Sequence, residues 1–523
     1  MWNGLTDQEW NRRALFLLGG VLLFRLVYAA LFPVNPAGDE AYYWDWGRQL
    51  DFGYYSKPPF IAWLYAFVDW IGGGSLYAIR AAAAILGTLA AFLLFRLTST
   101  LFDVRTGWIA LLLGLAAPAN SVLSFFLTID APLTVCWTTA LWMTWRYTSG
   151  AGGRGSLVIL FLALAIGHLS KQMMMIFPPM VVVFLLTEKR LRSFLKRPGL
   201  LLALFGSYLS LLPPLIWNAN HDWITIHHTK HHFETGPVVE NPLLERAEEF
   251  FTFLATQMGV LAPLTAIILF SVVFTQLAMF RSASRPVRFL LIFGGVPLAA
   301  MLVLALRQKL QPNWPAVFYV SCIALTAAWF SLRVRRPGWK LTRSERARKI
   351  TCYLALLGGI CLSAYFYFAS PAFALFDAAG HRADPNRRMM GHDIMAAEFE
   401  KIRENQPDSE ELFLVVMGHR DTASHLAFGL PDQPRVYRWE PSGMIVSQYE
   451  VWNTPIEDEL RGKDALILMS FSPNLPEDLA QRFASTEKIG EFEADYGYDR
   501  TYYFSVHRGR DLEKWPQPKV PGK

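Results

Sequence analysis

The stretch that decides the fold is Ala14-Leu15-Phe16-Leu17-Leu18-Gly19-Gly20-Val21-Leu22-Leu23-Phe24-Arg25-Leu26-Val27-Tyr28-Ala29-Ala30-Leu31. It carries a single charge and is long enough as a helix to cross the hydrocarbon core of a bilayer. No small-residue cleavage site follows it, so it reads as a first membrane span rather than a removed signal peptide. Outward from this run (13–33), further apolar runs lie near 76–98, 107–122, 128–147, 156–169, 172–187, 199–217, 250–280, 287–306, 315–332 and 350–370. Together they predict about eleven transmembrane helices. The stretch 156–187 reads either as one long helix or as two short ones broken at Gly167-His168-Leu169-Ser170-Lys171.

Composition agrees. Hydrophobic residues make up 53% of the 523 and charged residues only 18%, against about 25% charged in soluble domains. The net charge of +6 sits mostly in short loops and calls for no nucleic-acid partner. Cys136, Cys322, Cys352 and Cys361 all fall inside apolar runs, with neither zinc-site nor disulfide spacing. They read as small core residues.

Lys and Arg gather in alternate loops: Arg12 and Arg13, Arg146 and Arg154, Lys189 to Arg197, Arg281 to Arg288, and Arg333 to Lys349. With eleven spans all of these fall on one side, which the positive-inside rule makes cytoplasmic. The N-terminus is then inside and the C-terminus outside. The opposite loops, 34–75, 218–249 and 307–314, hold carboxylates, histidines and aromatics, so chemistry is expected on the outer face. The chain divides into a membrane domain, 1–370, and a soluble α/β domain, 371–523. In the latter, strands are predicted at Leu412–Met417, Arg435–Arg438, Ala465–Met469 and Tyr502–Val506, with helices at Gly391–Arg403 and Pro476–Phe483. The Pro/Lys-rich tail after Asp511 is expected to be disordered.

The first outer loop is the densest site candidate: Asn35-Pro36-Ala37-Gly38-Asp39-Glu40-Ala41-Tyr42-Tyr43-Trp44-Asp45-Trp46, then Gly53-Tyr54-Tyr55-Ser56-Lys57-Pro58-Pro59. Paired carboxylates at a membrane face supply a general base and its neighbour, and a nearby lysine neutralises a phosphate. Tyr42, Tyr43 and Tyr55, with Trp314 of a later loop, suit sugar or acceptor contacts, or equally an interfacial aromatic belt. Asp130, in Thr128-Ile129-Asp130-Ala131-Pro132, opens an apolar run and reads both as a functional carboxylate and as a helix N-cap. Lys171 and Arg80 either snorkel to the surface or line a polar cavity and meet a phosphate. Arg307 and Lys309 form a basic cluster on the outer side, against the general charge trend, as for an anionic ligand. His227 with His231, and His228 with His232, are spaced to share a helix face and hold a divalent metal; a pH-sensitive polar loop is the alternative.

The Gly38-to-Tyr43 and Gly53-to-Pro59 segments, with Thr128-Ile129-Asp130-Ala131-Pro132-Leu133, resemble the bacterial branch of the protein O-mannosyltransferase-like glycosyltransferases, the group that includes the aminoarabinose transferase of lipid A. Leu169-Ser170-Lys171-Gln172 and Trp217-Asn218-Ala219-Asn220-His221-Asp222-Trp223 also look like this group. The resemblance implies a mainly α membrane protein of the C-type glycosyltransferase (GT-C) fold. It implies an inverting transfer from a polyprenyl-phosphate sugar to an envelope lipid, glycan or protein in the bacterial inner membrane. Asp39 would be the base, Glu40 and Asp130 would shape the site with Asp130 a second catalytic carboxylate, and Lys57 would hold the donor phosphate, helped by Arg307 or Lys309. No cofactor is required; a divalent metal at His231 or His232 is the one addition the family suggests. The sequence departs from the aminoarabinose transferase pattern in Ala41-Tyr42-Tyr43, where Ala-Arg-Tyr is expected. It also matches less typed relatives at Ala423-Ser424-His425-Leu426-Ala427-Phe428 and Gln448-Tyr449-Glu450-Val451-Trp452, so sugar and acceptor stay open. The competing class is a transporter or flippase of lipid-linked sugars, but the paired interrupted helices of such proteins are not visible in the sequence.

Overall fold

The computed structural model describes residues 5–231, 242–334 and 344–520. They form two compact units. The first comprises Met1–Leu31, Arg80–Pro213 and Phe233–Tyr367; the second comprises Phe32–Ile79, Pro214–His232 and Phe368–Lys523. The second unit thus gathers, besides the C-terminal domain, two segments that the sequence division at 370/371 leaves with the membrane region.

The first unit is helical. Asp7–Leu31, Leu76–Leu101, Pro198–Asn220, Arg285–Ala305 and Glu345–Leu375 are long and apolar enough to cross a membrane. Where one span is expected over 250–280, Leu244–Leu261 and Pro263–Ala278 meet at 109°. Ala262, with φ 69°, makes the corner, and Pro263 opens the second helix in the position its ring tolerates best. Arg154–Ser170, Gln172–Leu186, Val104–Ala116 and Ala316–Phe330 are shorter apolar helices. The ambiguity over 156–187 resolves as two helices. Arg154–Ser170 stops at Lys171, which is extended at φ −159° and ψ 140°, and a 3-10 turn over Gln172–Ile176 follows.

Local chemistry explains these ends. Asp103 caps Val104–Ala116 by accepting from the Thr106 N–H at 2.8 Å, and Gly150, at φ 82°, closes Asp130–Ser149 in the left-handed conformation glycine favours. The core is a continuous Leu/Phe/Trp cluster. Trp137 at its centre lies edge-on to Phe177 (5.0 Å) and Phe318 (5.6 Å). A side chain at Gly294 would come within 2.8 Å of the Phe318 carbonyl oxygen; its absence lets two helices approach closely.

The second unit holds a five-stranded sheet in the order β2-β1-β3-β5-β4. The strands are β1 (Phe413–Met417), β2 (Val436–Arg438), β3 (Ala465–Ser470), β4 (Phe483–Asp495) and β5 (Thr501–Leu512). The first three are parallel, and β5 pairs antiparallel with both β3 and β4. Four strands fall where the sequence predicts them. β4 is new, and the helix expected over Pro476–Phe483 shrinks to Glu477–Ala480. The tail is more ordered than expected: Trp515 packs on Trp439 at 4.9 Å and Lys519 bridges Met444.

Candidate functional site

In the second unit the helix Gly38–Arg48 is buried over Glu40–Gly47. Its tyrosines and tryptophans are core residues. Tyr42 and Tyr43 are 1% and 3% exposed, Trp46 stacks on Tyr54 at 4.5 Å, and Tyr42 stacks on Tyr449 at 5.9 Å. This corrects the expectation of sugar contacts at Tyr42, Tyr43 and Tyr55. Tyr55 is also buried, with its N–H donating to Gln448 Oε1 at 2.7 Å and its ring 4.6 Å from His228. Gln448 and Tyr449 belong to the outer-domain segment singled out in the sequence, and Tyr449 donates to Asp45 at 2.7 Å. The two sequence segments therefore form one packed body. Gly53 is required within it, because a Cβ there would lie 2.5 Å from the Trp217 ring.

Two neighbouring carboxylates take opposite roles. Glu40 is fully buried, and its Oε2 accepts from the Ala37 N–H at 2.9 Å. It caps its own helix in the manner of a capping-box glutamate. Asp39 points outward with its side chain 54% exposed, and Arg420 donates to its Oδ1 at 3.2 Å. Partial desolvation raises the Asp39 pKa above the usual carboxylate value; Arg420 and Lys57 oppose the rise, while Asp421 and Glu40 add to it. Half-buried Lys57 is thus close enough to act on the Asp39 charge. A carboxylate accessible to solvent, raised in pKa, paired with one cation and within electrostatic reach of a second, suits a general base beside a bound anion.

Arg420 is the residue that sequence reading missed. It opens the helix Arg420–Gly429 directly after β1, with His419 as N-cap. Its guanidinium also lies over the Tyr42 ring at 4.6 Å. The available signal was positional: ligand-contacting residues cluster where the chain leaves the carboxyl end of a parallel strand.

In the first unit Asp130 is 2% exposed and both of its oxygens are occupied. Lys171 pairs with Oδ1 at 2.7 Å and Asn313 donates to Oδ2 at 2.7 Å. The three residues tie together the start of Asp130–Ser149, the break at Lys171 and the loop after Arg285–Ala305. Lys171 is therefore paired with a carboxylate, and Asp130 is buried with a partner on each oxygen. Arg80 is also buried, 2% exposed, with its guanidinium over Phe125 (4.4 Å) and Phe126 (4.8 Å) and donating to the Phe125 carbonyl. Aromatic faces and a backbone oxygen thus surround the guanidinium, so it does not reach the surface. Arg307 and Lys309 are exposed, and Trp314 packs on the Phe253, Ala305 and Leu310 cluster. His232 and the His231 side chain lie outside the described residues. Among the described residues no group of three or more His, Cys, Asp or Glu is placed to hold a metal.

The dolichyl-phosphate-mannose-protein mannosyltransferase family matches residues 56–217, a stretch that includes Lys57, Asp130 and Lys171. The lipid A galacturonosyltransferase RgtD of Rhizobium johnstonii is 26% identical over 449 residues, 84% of this chain and 87% of its own. ArnT from Cupriavidus metallidurans, solved bound to undecaprenyl phosphate, aligns at a TM-score of 0.59 and 16% identity over 94% of this chain and 97% of its own. An oligosaccharyltransferase of Archaeoglobus fulgidus aligns at a TM-score of 0.52 and 14% identity over 86% of this chain and 67% of its own. The chain shares the fold of these two structures.

Proposed function

We propose, from the premise that the chain is an aminoarabinose-transferase-like glycosyltransferase of the C-type membrane fold, that it moves a sugar from an undecaprenyl-phosphate donor to an envelope acceptor on the periplasmic face, with inversion. The observation that carries the mechanism is Asp39: an exposed carboxylate of raised pKa, paired with Arg420 at 3.2 Å and within electrostatic reach of Lys57. Asp39 takes the proton of an acceptor hydroxyl as that oxygen attacks the anomeric carbon. The bond from that carbon to the phosphate oxygen breaks, and the polyprenyl phosphate leaves with the electron pair. Lys57 offsets the charge that develops on the phosphate. Attack opposite the leaving group in a single displacement inverts the centre.

The acceptor favoured by the similarity to RgtD is lipid A, and a uronic acid or an amino pentose is the sugar to try first. The protein would sit in the inner membrane with its N-terminus cytoplasmic and its C-terminal domain periplasmic, as the loop charges favour. The test uses the full chain in detergent with lipid A and undecaprenyl-phosphate-linked galacturonic acid, aminoarabinose and hexose in parallel, the products being read by mass spectrometry. One of these sugars should appear on lipid A with the parent protein and not with Asp39→Asn. Transfer at the parent rate by Asp39→Asn would remove Asp39 from the mechanism.

A further inference from the structure

We propose that Arg420, supplied by the C-terminal α/β domain, is a positioning residue that holds Asp39 ionised and aimed, so that the site is incomplete without that domain. The inference rests on the reading of Asp39 as the base and adds a group that neither the family match at residues 56–217 nor the sequence motifs include.

Three contacts hold Arg420 in place. Its Nη2 donates to Asp39 Oδ1 at 3.2 Å. Its guanidinium rests 4.6 Å above Tyr42, three residues along the Asp39 helix, and Tyr42 is itself 1% exposed in the core. Its backbone opens a helix whose N-cap, His419, accepts from the Asp421 N–H at 3.3 Å. The two helix starts are also locked against each other. A Cβ at Gly38 would fall 2.7 Å from the Asp421 carboxyl carbon, and the His425 ring lies between the carbonyl oxygens of Asp421 (2.6 Å) and Pro36 (2.9 Å). The helix starts that carry Asp39 and Arg420 are therefore fixed against each other, which limits the entropy lost when the pair forms.

The sheet explains why this loop carries the residue. In the order β2-β1-β3 the chain leaves β1 for β2 on one side and returns to β3 on the other. That reversal falls between β1 and β3, and the carboxyl ends of strands at such a reversal are the usual functional edge of a parallel sheet. Arg420 stands there, three residues past the end of β1.

The charges facing Asp39 come from three places: Lys57 from its own loop, Glu40 from its own helix, and Arg420 with Asp421 from the domain helix. Removing Arg420 leaves desolvation and two like charges against Lys57 alone. The Asp39 pKa then rises, and the ionised base is lost at a higher pH. In the full chain, with an undecaprenyl-phosphate sugar and lipid A, Arg420→Gln should move the acid limb of kcat/KM up by about one pH unit. Arg420→Lys, which keeps the charge, should restore most of that limb, and both variants should melt as the parent does. An unmoved limb in Arg420→Gln, or equal losses in both variants with a lowered melting temperature, would overturn the inference. Asp39→Asn separates the two levels. Lost transfer there with an unmoved Arg420→Gln limb refutes only the role of Arg420, whereas full transfer refutes the base assignment beneath it.

Discussion

Asp39 and Asp130 are both acidic residues in the outer-side segments that sequence reading nominated, yet the structure treats them in opposite ways. Asp39 is 54% exposed and has one long ionic contact, to Arg420 at 3.2 Å. Asp130 is 2% exposed and has both oxygens filled at 2.7 Å by Lys171 and Asn313. A carboxylate with free lone pairs and solvent access can take a proton from a substrate. A buried one with a partner on each oxygen is worth more as an anchor, because removing either member of its ion pair strands a buried charge. Residue type alone does not separate the two; access and unfilled hydrogen-bonding capacity do.

The comparison breaks most visibly at Asp39. Replacing it with Asn should lower transfer by about 10²- to 10⁴-fold, the usual contribution of a general base, with the melting temperature held. Asp130→Asn should do the reverse and cost about 3–5 kcal/mol of stability by leaving Lys171 charged and unpaired. Lys171→Met should cost a similar amount. The double variant should cost less than the sum of the two, since each removes the charge the other would strand. Thermal unfolding in detergent reads both quantities. If Asp130→Asn kept its stability and lost only transfer, Asp130 would rejoin the catalytic group and the contrast would fail.

Much of this architecture was legible in the sequence for a plain reason. Long apolar runs and alternating strand patterns are local signals, so the five long helices and the strands β1, β2, β3 and β5 were predicted near their observed places. β4 was missed because Phe-Ala-Ser-Thr-Glu-Lys-Ile-Gly-Glu-Phe-Glu-Ala-Asp (483–495) is an edge strand, largely exposed and rich in Glu. Its identity comes from pairing with β5, not from a core-facing apolar stripe. The roles of charged groups were the least legible. Arg80 resting on Phe125 and Phe126, and Lys171 meeting Asp130, depend on residues about 40 positions away. Tyr42 and Tyr43 looked like a ligand platform because aromatics serve surfaces and cores alike. Only the burial of nearly the whole Gly38–Arg48 helix distinguishes the two.

Glu40 tests the same contrast within a single helix. Its carboxylate serves the Ala37 N–H, so Glu40→Ala should lower stability by about 1 kcal/mol, as for a lost cap. Glu40→Gln keeps an acceptor oxygen and should cost less, with transfer retained. Transfer lost in Glu40→Gln at an unchanged melting temperature would make Glu40 part of the reaction and blur the distinction from Asp39.

The smallest effect concerns how the surroundings of Asp39 respond to acid. His392 and His425 stack at 3.6 Å. Burial, aided by the neighbouring His425, pushes the His392 pKa from 6.5 down to about 3, and burial lowers His425 as well, against the carbonyl oxygens of Pro36 and Asp421. Because the folded pKa lies below the unfolded one, the unfolded chain binds protons that the folded chain refuses once the pH drops under 6.5. Stability is therefore full above that pH and declines as the pH falls from 6.5 toward 3. The unit that carries Asp39 should lose melting temperature progressively between pH 7 and pH 5. His392→Phe, which keeps a ring against His425 but binds no proton, should shrink that decline. An identical decline in His392→Phe and parent would mean that other groups set the acid response, and the Asp39 loop would then owe nothing to His392.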